Sequence, residues 1–142
     1  LKQLIVEALA GLNIEQNIQT DFKEGEIIIL GNTAHLYRSI RNLLENAVKY
    51  NTNPLPSLSI NLDKVSTGIS LSVKDNGPGI ADEFKSKIFD QFYRIPTGNL
   101  HNVKGYGLGL YYVKKVISQH KGIISVTDNH PSGTVFSIIL PA

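Results

Sequence analysis

The sequence predicts an α/β sandwich: two layers, in which one mixed sheet has a single face covered by helices. Three observations lead there. Residues 33–50 and 107–120 each carry an apolar stripe at helical spacing with polar side chains opposite. Strand-like alternation recurs in hairpin-like pairs between and after these helices. The chain has 142 residues, 42% hydrophobic and 18% charged, which suits one globular domain able to bury about two thirds of its unfolded surface. Helices and hairpins in such an order close one apolar face of a sheet.

Taken along the chain, residues 1–12 place Leu1, Leu4, Ile5, Ala8 and Leu12 at helical spacing. Residues 18–22 and 26–30 read as short strands joined by a turn around residues 23–25. Residues 33–50 form the strongest helix, with Asn32 or Thr33 as its N-cap. Residues 51–56 hold two prolines and two asparagines and read as a loop. Leu58, Ile60 and Leu62 alternate with polar residues, as do Ile69, Leu71 and Val73; a turn at residues 66–68 joins these half-buried strands. Residues 82–90 read as helix, and residues 94–104 show no apolar periodicity. The second amphipathic helix, 107–120, ends just before Gly122. Residues 123–126 and 134–140 close as strands.

Composition removes whole classes of function. A formal net charge of +2 is too small for a nucleic-acid surface or an electrostatic membrane anchor. With no cysteine, disulfides, thiol nucleophiles and cysteine metal sites are excluded. No apolar run approaches the roughly 20 residues that span a bilayer. A chain that begins at Leu1 and contains no methionine is expected to be a piece of something longer.

The first amphipathic helix has a polar face of Arg38, Asn42, Glu45, Asn46 and Lys49 opposite Leu36, Ile40, Leu43, Leu44, Ala47 and Val48. One reading is a solvated back, the ordinary fate of such a face. The other rests on the two asparagines, which are mediocre helix formers. Asn46 and Lys49, about one turn apart, can present an amide oxygen and an ammonium to a magnesium ion and the phosphates it bridges.

Two glycine-rich segments carry further chemistry. Asp75-Asn76-Gly77-Pro78-Gly79-Ile80 follows a strand directly. It reads as a turn, or as a strand-end carboxylate that accepts from a ligand amine such as adenine N6 while glycines admit the ring. Gly105-Tyr106-Gly107-Leu108-Gly109-Leu110 opens a helix. Its backbone N–H groups and the helix dipole make an anion site suited to phosphate. The spacing is not that of a dinucleotide fingerprint, and no Gly-Lys-Ser/Thr ends it.

In this order the segments resemble the boxes of the GHKL ATPase superfamily and, within it, the catalytic ATP-binding domains of bacterial sensor histidine kinases. Asn42-Leu43-Leu44-Glu45-Asn46-Ala47-Val48-Lys49-Tyr50 resembles the N box and Asp75 to Gly79 the G1 box. Phe89-Asp90-Gln91-Phe92-Tyr93-Arg94 resembles the F box and Gly105 to Leu110 the G2 box, and Gly133-Thr134-Val135-Phe136 is similar to the last box. The match runs in register from about Asn32 to Leu140. The resemblance implies the Bergerat fold, an α+β two-layer sandwich with a mixed, mostly antiparallel sheet, as one domain over residues 1–142.

It also implies ATP and Mg2+ as cofactors. Asn46 is expected to bind the metal, and Asn42, Lys49 and Tyr50 to line the phosphate and ribose. Asp75 is expected to bind the adenine amine, helped by Thr134, with Gly77, Gly79 and Ile80 around the ring. The amides around Gly105, Gly107, Leu108 and Gly109 would hold phosphate. Arg94 and Lys49 are the expected catalytic cations, Arg94 steadying charge on the γ-phosphate in flight. Residues 93–104, from Tyr93 to Lys104, would form a lid over the nucleotide. Lys104, or His101, is the candidate substitute for a second basic residue that relatives often carry just after Arg94.

Superfamily members that hydrolyse ATP place a glutamate one turn before the magnesium asparagine. Here that position is Asn42, which cannot take a proton. The chain is therefore expected to hand the γ-phosphate to a side chain presented by another domain. Its four histidines do not fit as acceptors, because none precedes an acidic residue as the family's acceptor usually does. The implied partners are a histidine-bearing dimerisation domain and, indirectly, a response regulator. The implied setting is the cytoplasmic part of an inner-membrane-anchored homodimer, this piece alone being monomeric. The alternatives are an anti-sigma-factor-like serine kinase and an inactive nucleotide-binding interaction module.

Overall fold

A computed structural model describes residues 1–12, 17–23, 25, 27–96 and 105–141. Among these, five strands form one sheet in the order β1-β2-β3-β5-β4: Asn17–Phe22 (β1), Ser57–Val65 (β2), Gly68–Asp75 (β3), Ile123–Asp128 (β4) and Thr134–Leu140 (β5). β1 runs parallel to β2 and the other three pairings are antiparallel. Leu58, Ile60, Leu62, Leu71, Val73, Phe136 and Ile138 all point into one core, as the period of two requires when a single face is covered. The helices Lys2–Ala10 (α1), Thr33–Lys49 (α2) and Gly109–Gln119 (α4) supply the other half of that core through Ile5, Leu36, Ile40, Leu43, Leu44, Val113, Val116 and Ile117. No helix among the described residues is long and apolar enough to cross a membrane.

α2 begins where its sequence specifies. Asn32 is the N-cap, its side chain accepting from the His35 backbone N–H at 3.1 Å, which satisfies one of the first-turn donors. Ser39 is buried on the apolar side because its hydroxyl donates to the His35 carbonyl at 2.9 Å. α4 ends with Lys121 in the left-handed region (φ 56). Gly122 N–H reaches back to the Ile117 carbonyl and Lys121 N–H to that of Ser118, both at 2.9 Å. Gly122 is a glycine for a different reason: a Cβ there would lie 2.6 Å from the Ile139 carbonyl oxygen.

Three expectations change. Residues 27–30 form no strand; Ile27 is buried, but its carbonyl accepts from the Leu1 amino group at 3.2 Å, while Ile28 and Leu30 face solvent. β1 therefore has no hairpin partner there and pairs parallel with β2, the long crossover that parallel neighbours need being supplied by α2. The helix expected over 82–90 is a single turn, Asp82–Lys85 (α3), followed by turns in which Asp90 N–H bonds Lys87 and Tyr93 N–H bonds Asp90. That tighter winding turns Ile88 and Phe89 into the core. α4 starts at Gly109 and not at residue 107, because Gly107 has φ 69 and cannot join a right-handed helix.

Candidate functional site

The polar face of α2 meets the glycine segment that leads into α4 at two points. Asn42 and Asn46 are half-buried, Lys49 and Tyr50 more exposed. Asn42 Oδ1 lies 3.5 Å from where a Gly109 side chain would begin, and Lys49 Nζ lies 3.1 Å from the same point on Gly105. The two sequence segments thus converge. The Lys49 ammonium also stands 5.4 Å from the centre of the Tyr50 ring. Among the described residues the Asn46 side-chain amide makes no hydrogen bond.

α4 starts without help: Leu108 occupies its N-cap position and offers no side-chain cap. Its first-turn N–H groups have no partner within the helix, whereas those of α2 have Asn32. Gly107 is required in place. A Cβ on it would come within 2.6 Å of the Phe92 carbonyl carbon and 2.7 Å of the Tyr93 oxygen, and its carbonyl accepts from Phe92 N–H at 2.9 Å. Phe92, at φ 65, completes this junction. Tyr93 packs partly into the core and Arg94 is exposed beside it.

Two cations, Lys49 and Arg94, act on each other here, with the Glu45 carboxylate nearby. Partial burial, then the positive field of Arg94, hold the Lys49 ammonium below the ordinary lysine range; Glu45 acts in the opposite direction. Two mutually repelling cations next to an uncapped helix start form a place where a polyanion relieves repulsion. The sign of the pH effect follows. Anion binding needs the protonated amine, whose proton is held less tightly than usual before the anion arrives. Affinity for a polyphosphate should therefore begin to fall with rising pH earlier than a free lysine would dictate, and Lys49→Arg should push that decline to higher pH. Titration calorimetry across the alkaline range measures both.

The other end of the cleft is built on Asp75, the last residue of β3 and buried. Its Oδ1 accepts two backbone N–H bonds, from Gly77 at 2.8 Å and Thr134 at 3.2 Å. Among the described residues Oδ2 takes none. Burial raises the Asp75 pKa above the usual carboxylate range, against the pull of those two N–H bonds. Gly79 has φ 78, and Ile80 packs partly against the core. Thr134 is buried directly across from the carboxylate.

Asn51, Asn53 and Asn129, none of them given a site role from the sequence, join Asn76 and Gly133 in holding this end in shape. Asn76 Oδ1 accepts from Asn51 Nδ2 at 2.9 Å and from Ser57 N–H at 2.8 Å, and its Nδ2 donates to the Leu55 carbonyl at 2.9 Å. Asn53 Nδ2 donates to the Asn76 carbonyl at 3.1 Å. Asn129 Nδ2 donates to the Asp75 carbonyl at 2.7 Å, and a Cβ on Gly133 would sit 1.9 Å from that same oxygen. The signal for the first group was present in the asparagines of the 51–56 loop, whose side chains compete for backbone groups.

Lys104 and His101, and with them residues 97–104 of the expected lid, lie outside the described residues. His120, the residue that follows α4, is half-buried. Its Nε2 accepts from Asn32 N–H at 3.1 Å, so its Nδ1 carries the proton donated to the Val116 carbonyl at 2.8 Å. It ties the far end of α4 to the start of α2.

Comparison with known proteins shows the family. Residues 31–142 match the family model described as histidine kinase-, DNA gyrase B-, and HSP90-like ATPase. The chain is 46% identical over 116 residues to the sensor protein RprX of Bacteroides fragilis, covering 80% of this chain and 22% of that protein. It is 34% identical over 135 residues to the sensor histidine kinase CusS of Escherichia coli, covering 95% and 27%. The chain thus spans about a quarter of the length of these relatives. Among solved structures it resembles a mycobacterial sensor histidine kinase, MprB, with a TM-score of 0.82 and 28% identity over 99% of this chain and 93% of that one. It is also similar to the catalytic domain of the histidine kinase ThkA in a nucleotide-free form, with a TM-score of 0.84 and 25% identity over 99% and 92%.

Proposed function

The chain belongs to the histidine kinase-, DNA gyrase B- and HSP90-like ATPases, as the catalytic domain of a sensor histidine kinase, and on that premise we propose that it binds Mg-ATP and donates the γ-phosphate to a histidine on a separate dimerisation domain. The observation that carries this reading is the meeting of Asn42 and Lys49, on the helix face that also bears Asn46, with the glycines that lead into the uncapped helix α4, and the buried Asp75 carboxylate at the end of β3. The phosphorylated histidine would then serve a response regulator in two-component signalling.

Each residue has a role in this reading. Asp75 Oδ2 accepts from the adenine amine, and the hinge-like Gly77 and Gly79 leave room for the ring. Gly105 to Gly109 receive the phosphates on backbone N–H groups. Lys49 and Arg94 neutralise charge that spreads over the transferring group. Asn46, with its otherwise unengaged amide oxygen, would hold the magnesium ion, which supplies charge neutralisation between phosphate oxygens. The donor set fits an ion brought in by the nucleotide. Among the described residues no three His, Cys, Asp or Glu side chains cluster to hold a metal, and magnesium commonly takes one or two protein oxygens with phosphates and waters as the remainder. Asn42 cannot take a proton from water, so hydrolysis stays slow and ATP awaits its acceptor.

The test is calorimetric titration of Mg-ATP into the wild type and Asn46→Ala. Losing one metal-directed oxygen should weaken Mg-ATP binding roughly ten- to hundred-fold, by about 1.5–3 kcal/mol, and leave the smaller affinity for metal-free ATP nearly unchanged. Equal affinity of both proteins for Mg-ATP would remove Asn46 from the site.

A further inference from the structure

The cleft has a direction. Asn51 approaches Gly77 at the purine end, with its Cα 3.5 Å from where a side chain on Gly77 would begin. Lys49 meets Gly105 and Asn42 meets Gly109, and finally His120 meets Asn32. α2 and α4 therefore run antiparallel, and a nucleotide with its base at Asp75 extends its phosphates toward the N-terminal half of α2. Arg38 stands one turn beyond Asn42, about 6 Å farther along the helix. That is the side from which an acceptor must come, opposite the departing ADP, if attack is in line.

Arg38 is unusually well prepared for an exposed arginine. Its guanidinium lies 4.7 Å over the centre of the Tyr112 ring, and the Tyr112 hydroxyl is fixed by a 2.7 Å hydrogen bond to His35 Nδ1. Stacking occupies the flat face of a guanidinium and leaves its in-plane N–H fork open for a carboxylate. Arg38 adjoins a hollow of about 450 Å³ lined by Tyr37, Arg38, Arg41, Asn42 and Glu45. Of its two arginines, Arg41 is engaged with Glu45 at 2.7 Å. Arg38 has no carboxylate partner among the described residues. None of Lys49, Gly105 or Gly107 lines this hollow, so it is separate from the phosphate-binding surface while adjoining it at Asn42.

We propose that Arg38, steadied by Tyr112 and His35, is the docking cation for a carboxylate on the protein segment that presents the phosphate acceptor. This rests on the phosphotransfer reading given above. It adds the partner's chemistry: an acidic side chain close to the acceptor, taken up by the Arg38 fork as the acceptor reaches the γ-phosphate.

The experiment is radiolabelled autophosphorylation of the full-length kinase that carries this chain, with Mg-ATP affinity measured on the same preparations. Arg38→Ala should lower the labelling rate at saturating ATP roughly ten- to hundred-fold, the scale of one charge-assisted hydrogen bond, while Mg-ATP affinity stays within about two-fold. The variant should also lose most of the salt sensitivity of labelling. Arg38→Lys keeps charge without the fork and should recover only part of the rate. Tyr112→Phe, which keeps the ring and drops the tether to His35, should fall between. If affinity weakens in step with rate, Arg38 belongs to the nucleotide site and the docking role is wrong; an unaltered rate also overturns it. The wild-type kinase in the same assay separates the two readings: Mg-ATP binding with no label appearing on histidine would defeat the phosphotransfer reading, and the docking proposal with it.

Discussion

Asp75→Asn should abolish most nucleotide binding while leaving the fold as stable as before, or more so. Both backbone N–H donors at this position, from Gly77 and Thr134, converge on Oδ1. An asparagine placed here must keep its amide oxygen on those donors, because the alternative orientation sets NH2 against N–H twice. Its nitrogen is then forced into the Oδ2 position, where two donors confront the amine of the purine. The charge-assisted bond is lost and a donor is left without an acceptor, together about 3 kcal/mol, or roughly a hundred-fold in affinity.

The stability side follows from the pKa. Burial raises the folded-state pKa of Asp75 above its unfolded value. The folded protein therefore holds this proton more tightly, and the ionised group weighs against folding at neutral pH. That cost is absent below the ordinary aspartate range and grows as pH climbs through the raised pKa. Asp75→Asn removes it. The melting temperature of the variant should equal or exceed that of the wild type near neutrality, and the gap should close as pH falls through the raised pKa. Calorimetric melts over that range, paired with ATP titrations, check both halves. A variant that melts well below the wild type at neutral pH would show that the carboxylate holds the fold together, and its lost binding would then say nothing about adenine.

Gly133→Ala should be among the most damaging single-methyl additions available. At φ 111 an L side chain is strained wherever it sits, and here the new Cβ would lie 1.9 Å from the Asp75 carbonyl oxygen and 2.9 Å from Asn76 Cα. All of these are backbone atoms of the β3 end, which cannot turn aside as a side chain would. Strain of about 1–2 kcal/mol adds to overpacking of about 1–3 kcal/mol. A total near 3–4 kcal/mol lowers the melting temperature of a domain this size by roughly 10 °C, and the shifted Asp75 should weaken ATP binding as well. Gly25→Ala is the matched control: φ is 104, with nothing within 4 Å of the added methyl, so only the backbone strain of about 1–2 kcal/mol remains. Equal destabilisation of the two variants would refute the contact argument.

What the sequence made legible was whatever rests on local pattern. The 3.6-residue stripe of α2, the period-two alternation of β2 and β3, and the Asn32 cap each depend on neighbours a few positions away. The order of the glycine and asparagine boxes was legible too, and it carried the family. Long-range geometry was not. Residues 27–30, Ile-Ile-Ile-Leu, have the β-branched composition of a strand, yet nothing local says that the Ile27 carbonyl will meet the Leu1 amino group instead of a sheet edge. The parallel pairing of β1 with β2 is likewise decided by where α2 crosses. Gly107 was read as the start of a helix, whereas its close approach to Phe92 and Tyr93 holds it at positive φ just outside. Asn76 looked like half of a turn dipeptide; its four bonds to the 51–57 segment exist only once that loop has folded back. Asn129 reaches Asp75 across 54 residues, a separation at which single-sequence patterns carry no signal.

The Asp75 end of the cleft, where the proposed reading puts the purine, is shaped by neutral amides, through Asn51, Asn53, Asn76 and Asn129, while on that reading the opposite end would work by uncapped helix donors and cations. These two halves answer to different solvents. Mobile ions leave an amide lattice untouched but shield Lys49 and Arg94, so ionic strength should set how strongly the domain prefers three phosphates over two without altering which base it accepts. Titrations of ATP and ADP at rising salt should therefore show the preference for ATP narrowing while the preference for adenine over other bases stays constant.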